Sequence, residues 1–107
     1  MKLLRKIVNV EGKQISVLSP KEQVGIMTHL AIKRFNNNQG FSEIEIVILL
    51  SGLKLAFGIS AVHKMIEWTE NIRKKYNGKL PLNKCFVEAV YEIIKKGEYM
   101  GVTKIEQ

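Results

Sequence analysis

Arg73, Lys74, Lys75, Lys79 and Lys84 lie close together in the chain, and no acid stands between Glu70 and Glu88. Nothing local in sequence neutralises this run. A cluster of this kind binds a phosphate backbone through release of condensed counterions. The plainer alternative is a solvated helix end followed by a loop. Trp68 borders the run. On a helical wheel it falls about a quarter-turn from the apolar stripe, towards Lys64, Asn71 and Lys75. An indole among lysines can stack on a base or anchor a protein contact; it can equally cover the edge of a core. Tyr76 and Tyr99 pose the same question more weakly.

The remaining reactive side chains are few. His29, His63 and Cys85 are far apart in sequence, Asp does not occur at all, and a zinc site needs three or four well-spaced ligands. His63 and Glu67 stand one helical turn apart, as on a metal-binding helix, but the pair is common by chance. Cys85 falls in the first turn of a predicted helix, where a thiol pKa is lowered; its ordinary fate is a half-buried core position. Gly52, Gly58 and Gly78 stand singly, so no glycine-rich phosphate loop is present. Glu67/Glu70 and Glu88/Glu92 share their faces with lysines, as solvated helix surfaces do. The expectation is a protein without catalytic residues, metal or cofactor.

Residues 55–68 run Leu-Ala-Phe-Gly-Ile-Ser-Ala-Val-His-Lys-Met-Ile-Glu-Trp. The order resembles the turn and second helix of a helix-turn-helix DNA reader. Three features depart from that pattern. Lys54 stands where a small residue belongs, Lys64 where an apolar one belongs, and the first buried valine comes two residues early. The segment is read as a tight αα-corner, and no family is assigned.

The elements that position these residues follow from pattern. Met1 begins a 107-residue chain, long enough for one domain (1–107) with a core that needs no disulfide. One cysteine suits a reducing compartment. No apolar run follows Lys2, Arg5 and Lys6, so no secretory signal is read and cytoplasm is expected, or a host cytoplasm for a viral gene. Net charge is +7. Such a field favours polyanions, acidic protein surfaces or anionic lipid.

Lys2–Val10 and Lys13–Leu18 read as a β-hairpin about Glu11-Gly12. Ser19, Pro20 and Glu22 form a capping box with proline at the first helical position, opening a helix that ends near Asn36. Its buried stripe is Val24, Met27, Ala31 and Phe35, and Gly40 is the best stop signal. Ser42 and Glu45 form a second capping box, with Phe41 and Ile46 placed as a staple.

That box opens the most apolar segment, Glu43–Phe57. Its β-branched residues and the alternation of Glu43–Ile46 allow a strand over 43–50; the capping box favours a helix. The wheel is apolar all round, which predicts burial on every side. Glu43, Glu45 and Lys54 make it a poor membrane span. Gly52 in its middle points to close approach of a neighbouring helix.

Ser60 is the expected cap of a third helix, with Val62, Met65, Ile66, Thr69, Ile72 and Tyr76 on one face and Asn77-Gly78 as its stop. Asn83 is the expected cap of a fourth, with Leu82 and Val87 as staple and Phe86, Val90, Ile93 and Ile94 buried. Residues 98–107 read as a tail or a strand added to the hairpin.

The expected fold is α+β and predominantly α-helical: an N-terminal β-hairpin, then four helices around a central buried helix, 43–57. The expected function is non-catalytic binding of nucleic acid or a nucleoprotein complex through Arg73, Lys74, Lys75, Lys79 and Lys84, bordered by Lys64 and Trp68. The rival is a protein-interaction module or inhibitor that binds an acidic protein surface and acts as a homodimer. A small, lysine-rich, Asp-free chain of this kind would suit a phage or mobile-element regulator.

Overall fold

The computed structural model describes residues 9–10, 13–14 and 18–96. Its body is four helices: α1 (Pro20–Asn36), α2 (Glu43–Phe57), α3 (Ile59–Lys75) and α4 (Leu82–Lys95). Each packs against its two neighbours in a ring (α1 on α2, α2 on α3, α3 on α4, α4 on α1), while α2 and α4, across the diagonal, scarcely touch.

Two expectations fail here. The first is the α+β class. The only strand pairing described sets Asn9 opposite Gln14 and Val10 opposite Lys13. Two residues a side form no layer of the fold, since so short a hairpin is marginal even when isolated and idealised. Every described core residue comes from the helices except Phe41, so the core closes without a sheet. The fold of the described residues is all-α. The rest of the expected hairpin, and residues 98–107, lie outside the described residues.

The second failure is the central helix. Residues 43–57 are helical, so the strand alternative falls, but α2 is one member of the ring and has an outer face. Ile44, Val47 and Leu55 are 50%, 54% and 65% exposed. The enclosed helix is α4. Cys85 to Val90 are six consecutive buried residues, joined by Ile93 one turn later. Burial of a consecutive run means that the helix is covered on all sides over residues 85–90, while Leu82, Asn83 and Lys95 at its ends are exposed.

Local chemistry explains the helix ends. Both capping boxes form: Ser19 Oγ accepts from the Glu22 N–H while Glu22 accepts from the Ser19 N–H, and Ser42 and Glu45 repeat the exchange. α1 stops earlier than Gly40. Asn38 takes the left-handed conformation at φ 57°, the Gln39 N–H donates to the Arg34 carbonyl and the Asn38 N–H to that of Phe35. This is a Schellman ending with asparagine in the glycine place. Asn77, at φ 56°, ends α3 in the same way, with Gly78 donating to Arg73.

Neither expected cap of the later helices forms. Gly58, at φ 93°, is the whole connection between α2 and α3, and Ser60 is already inside α3. One residue is shorter than the three or four of a helix-turn-helix turn. α4 begins at Leu82 after Pro81, with no side-chain cap. Leu82 is exposed, so the expected staple with Val87 is absent too.

The core is Val24, Met27, Leu30 and Ala31 of α1, Phe41, Ile48, Leu49 and Leu53, Met65 and Ile72 of α3, and the buried face of α4. Each large side chain so enclosed contributes roughly 1.5–3 kcal/mol. A Cβ on Gly52 would lie 2.9 Å from Val24 Cγ2 and 3.3 Å from the Pro20 carbonyl oxygen. The glycine therefore marks the close crossing of α1 and α2. Phe35 and Tyr91 stack at 4.0 Å and join α1 to α4. The two buried threonines spend their hydroxyls within their own helices, Thr28 on the Val24 carbonyl and Thr69 on that of Met65. Among the described residues no buried side-chain polar atom lacks a partner.

Candidate functional site

The loop from α1 to α2 and the loop from α3 to α4 meet at one end of the bundle. Asn83, freed from capping, makes the join: its Nδ2 donates to the Phe41 carbonyl at 2.7 Å, and its own carbonyl accepts from the Phe41 N–H. Gly40 lies flat against it. A Cβ there would sit 2.8 Å from Asn83 Cβ and 3.0 Å from its carbonyl carbon, so no larger residue fits.

Beneath the join lies a buried ion pair. Arg34 donates both terminal nitrogens to Glu45, at 2.9 and 2.8 Å, and a further bond to the Gly40 carbonyl at 2.7 Å. Glu45 thus serves twice, as the capping-box carboxylate of α2 and as the anchor of α1. Burial pushes the Glu45 carboxyl up, but the Arg34 hydrogen bonds, the Ser42 N–H and the guanidinium charge outweigh it, and the net shift is downward. The sequence reading found the capping box and missed the arginine. A signal was present: the chain has fourteen lysines and three arginines, and both described arginines, Arg34 and Arg73, grip a glutamate through several hydrogen bonds.

An open notch of about 410 Å³ is set into this end, lined by Arg34, Phe41, Glu45, Pro81, Asn83 and Lys84 among others. Of the predicted basic residues only Lys84 lines it. Lys74 ends α3, Lys79 lies in the loop and Lys84 opens α4. Lys74 and Lys79 are exposed and Lys84 is half-buried. None of the three side chains makes a hydrogen bond or ion pair among the described residues.

Arg73 and Lys75 differ. Arg73 bonds Glu70 one turn back at 2.8–3.1 Å. Lys75 reaches Glu88 of α4 at 3.5 Å, and the Tyr76 hydroxyl donates to the same carboxylate at 2.9 Å. The expectation that nothing local neutralises the run is therefore corrected: the acids at its two sequence borders fold back onto it. Accepting that hydrogen, Glu88 also holds the Tyr76 hydroxyl above its ordinary pKa.

Lys64 is not brought to this cluster. It lies ten residues before Lys74 on the same helix, about 15 Å along the axis. Trp68 is half-buried and packs against the core, the plainer of its two readings.

The reactive side chains do not converge. His29 and His63 are exposed on α1 and α3. Cys85 is buried and its thiol donates to the Leu80 carbonyl at 3.4 Å. Burial pushes its pKa up, opposite to the lowering that its place in the first turn predicts. Among the described residues no three His, Cys or Glu side chains cluster as metal ligands. No helix of the described residues is long and apolar enough to cross a membrane. The chain matches no protein-family model, no curated protein and no solved structure.

Proposed function

We propose that this is a non-catalytic binding protein whose basic end engages nucleic acid or a nucleoprotein complex. The observation that carries this reading is the placement of Lys74, Lys79 and Lys84 at one end of the bundle, their side chains without ion pairs among the described residues, with Lys84 lining an open notch there. Three ammonium groups at a shallow surface suit a phosphate backbone better than they suit a small ligand, which wants a deep and mostly apolar pocket. Arg73 and Lys75 stand beside them with their charge partly spent on Glu70 and Glu88.

The test is binding to duplex and single-stranded probes over a salt series. On duplex DNA the log–log slope should be about −0.9 per neutralised phosphate, hence near −3 for three lysines. The Lys74→Glu, Lys79→Glu double variant should lose binding at every salt concentration. Absence of binding by the native protein at low salt ends this reading.

A second reading has a specific observation in its favour. Ile44, Val47 and Leu55 form an exposed apolar face on α2, as protein-interaction surfaces do. An interaction module or inhibitor would retain its partner after nuclease treatment in a pull-down, whereas a nucleic-acid bridge would not survive it.

A further inference from the structure

The outer face of α2 is ordered along the helix. Glu43 stands at its start and Lys54 eleven residues later. Eleven residues make about three turns, roughly 16 Å, and return to within about 20° of the same direction. Ile44 and Leu55 have the same separation. Val47 and Ser51 lie between them. Glu43 and Lys54 are exposed, and neither makes an ion pair among the described residues. The stripe therefore has an acidic end, a basic end and an apolar middle with one small residue.

Such a stripe complements itself when reversed. We propose that α2 is the interface of a homodimer in which the two copies of α2 pack antiparallel about a two-fold axis near Leu49. In that register Glu43 faces the partner's Lys54, Ile44 faces the partner's Leu55, and Val47 packs on the partner's Ser51. Each contact occurs twice, as an isologous interface demands. Ser51 lets the backbones approach at the middle. The parallel alternative sets Glu43 on Glu43 and Lys54 on Lys54, and is repelled at both ends. Covering Ile44, Val47 and Leu55 also accounts for a helix whose sequence is apolar all round in a bundle that shields only its inner side. The antiparallel arrangement sends the two basic ends to opposite ends of the dimer, so this proposal does not rest on what those ends bind.

One helix of fifteen residues buries less than a standard interface. The dimer should therefore be of moderate strength, with Kd on the order of 1–100 μM at 0.15 M salt. The experiment is sedimentation equilibrium on the full chain from 1 μM to 1 mM. Native protein should pass from the mass of one chain to that of two. Val47→Asp should weaken association by on the order of 100-fold or more; its unchanged circular dichroism shows that the fold persists, since Val47 lies outside the core.

The charge exchange is the more specific arm. Glu43→Lys or Lys54→Glu alone sets like charges together twice and should weaken the dimer about 10-fold. The double exchange restores both pairs and should return Kd to within about 3-fold of native. A native mass of one chain at 1 mM overturns the proposal and leaves the face to an unlike protein. So does a dimer that Val47→Asp leaves intact, or two single exchanges whose combination fails to restore association.

Discussion

α2 and α4 lie across the bundle from one another and reverse what their sequences promise. α2 is the most apolar segment of the chain, yet Ile44, Val47 and Leu55 face outward. α4 carries Lys84, Glu88, Glu92 and Lys95 in fourteen residues, yet it is the helix enclosed on all sides along its middle, residues 85–90. The difference lies in what covers each. α4 receives α1 on one side and α3 on the other, and Glu88 is tolerated within because Tyr76 and Lys75 reach its oxygens. α2 has the same two neighbours, α1 and α3, yet they bury only Glu45, Ile48, Leu49, Gly52 and Leu53 along it. Apolar content states what a helix can bury; how far its neighbours wrap round it decides what it does bury.

The largest expected effect breaks this comparison if it is false. Val90→Asp places an unpaired carboxylate in a fully buried site of α4 and should cost more than about 4 kcal/mol, enough to leave most of the chain unfolded. Val47→Asp, the same change on α2, should alter the unfolding free energy of dilute protein by less than about 0.5 kcal/mol. Urea unfolding of both reads the difference.

Arg34→Ala should cost about 3 kcal/mol, because it leaves Glu45 buried without its cation. It bears on pH as well. Glu45 has a depressed pKa when folded, so its contribution is present above the unfolded value and is lost as pH falls through the folded one. Stability should therefore fall below about pH 4.5, and Arg34→Ala should make that acid loss shallower. An unchanged acid slope would show that other carboxylates control it.

Tyr76→Phe removes one of the two groups that hold Glu88 and should cost about 1–1.5 kcal/mol. Gly52→Ala gains about 1 kcal/mol of helix propensity but presses on Val24, so thermal melting should show a small net loss of about 0.5–1 kcal/mol. A stabilised Gly52→Ala chain would mean that α1 and α2 cross less closely than described.

Much of the fold was legible in the sequence. Ser19-Pro20-Lys21-Glu22 and Ser42 with Glu45 placed two helix starts, because a capping box is a local exchange of hydrogen bonds that needs no tertiary context. Asn77-Gly78 placed the end of α3 for the same reason. Part of what failed depended on partners distant in the chain. Asn83 looked like a cap and instead ties α4 to Phe41, forty-two residues away. Ser60 looked like a cap, but Gly58 alone makes the corner. Glu88 sat at the border of the basic run, and only folding brought it onto Lys75; Glu70 lies three residues before Arg73 on one helix, a local pair that the sequence reading overlooked. The central helix failed because a wheel records composition around an axis and carries no information on how much of that surface its neighbours cover.

Reactivity of two thiols decides the comparison most directly. Cys85 is the only cysteine in the chain, so the native protein reports on the interior of α4. A Cys85→Ala, Val47→Cys chain reports on the outer face of α2, at sub-micromolar concentration where copies are apart. The Val47→Cys thiol should label within about 10-fold of an unfolded control. Cys85 should label at least about 1,000-fold more slowly, through rare opening of the fold. Equal rates, or a protected Val47→Cys beside a reactive Cys85, would contradict the account.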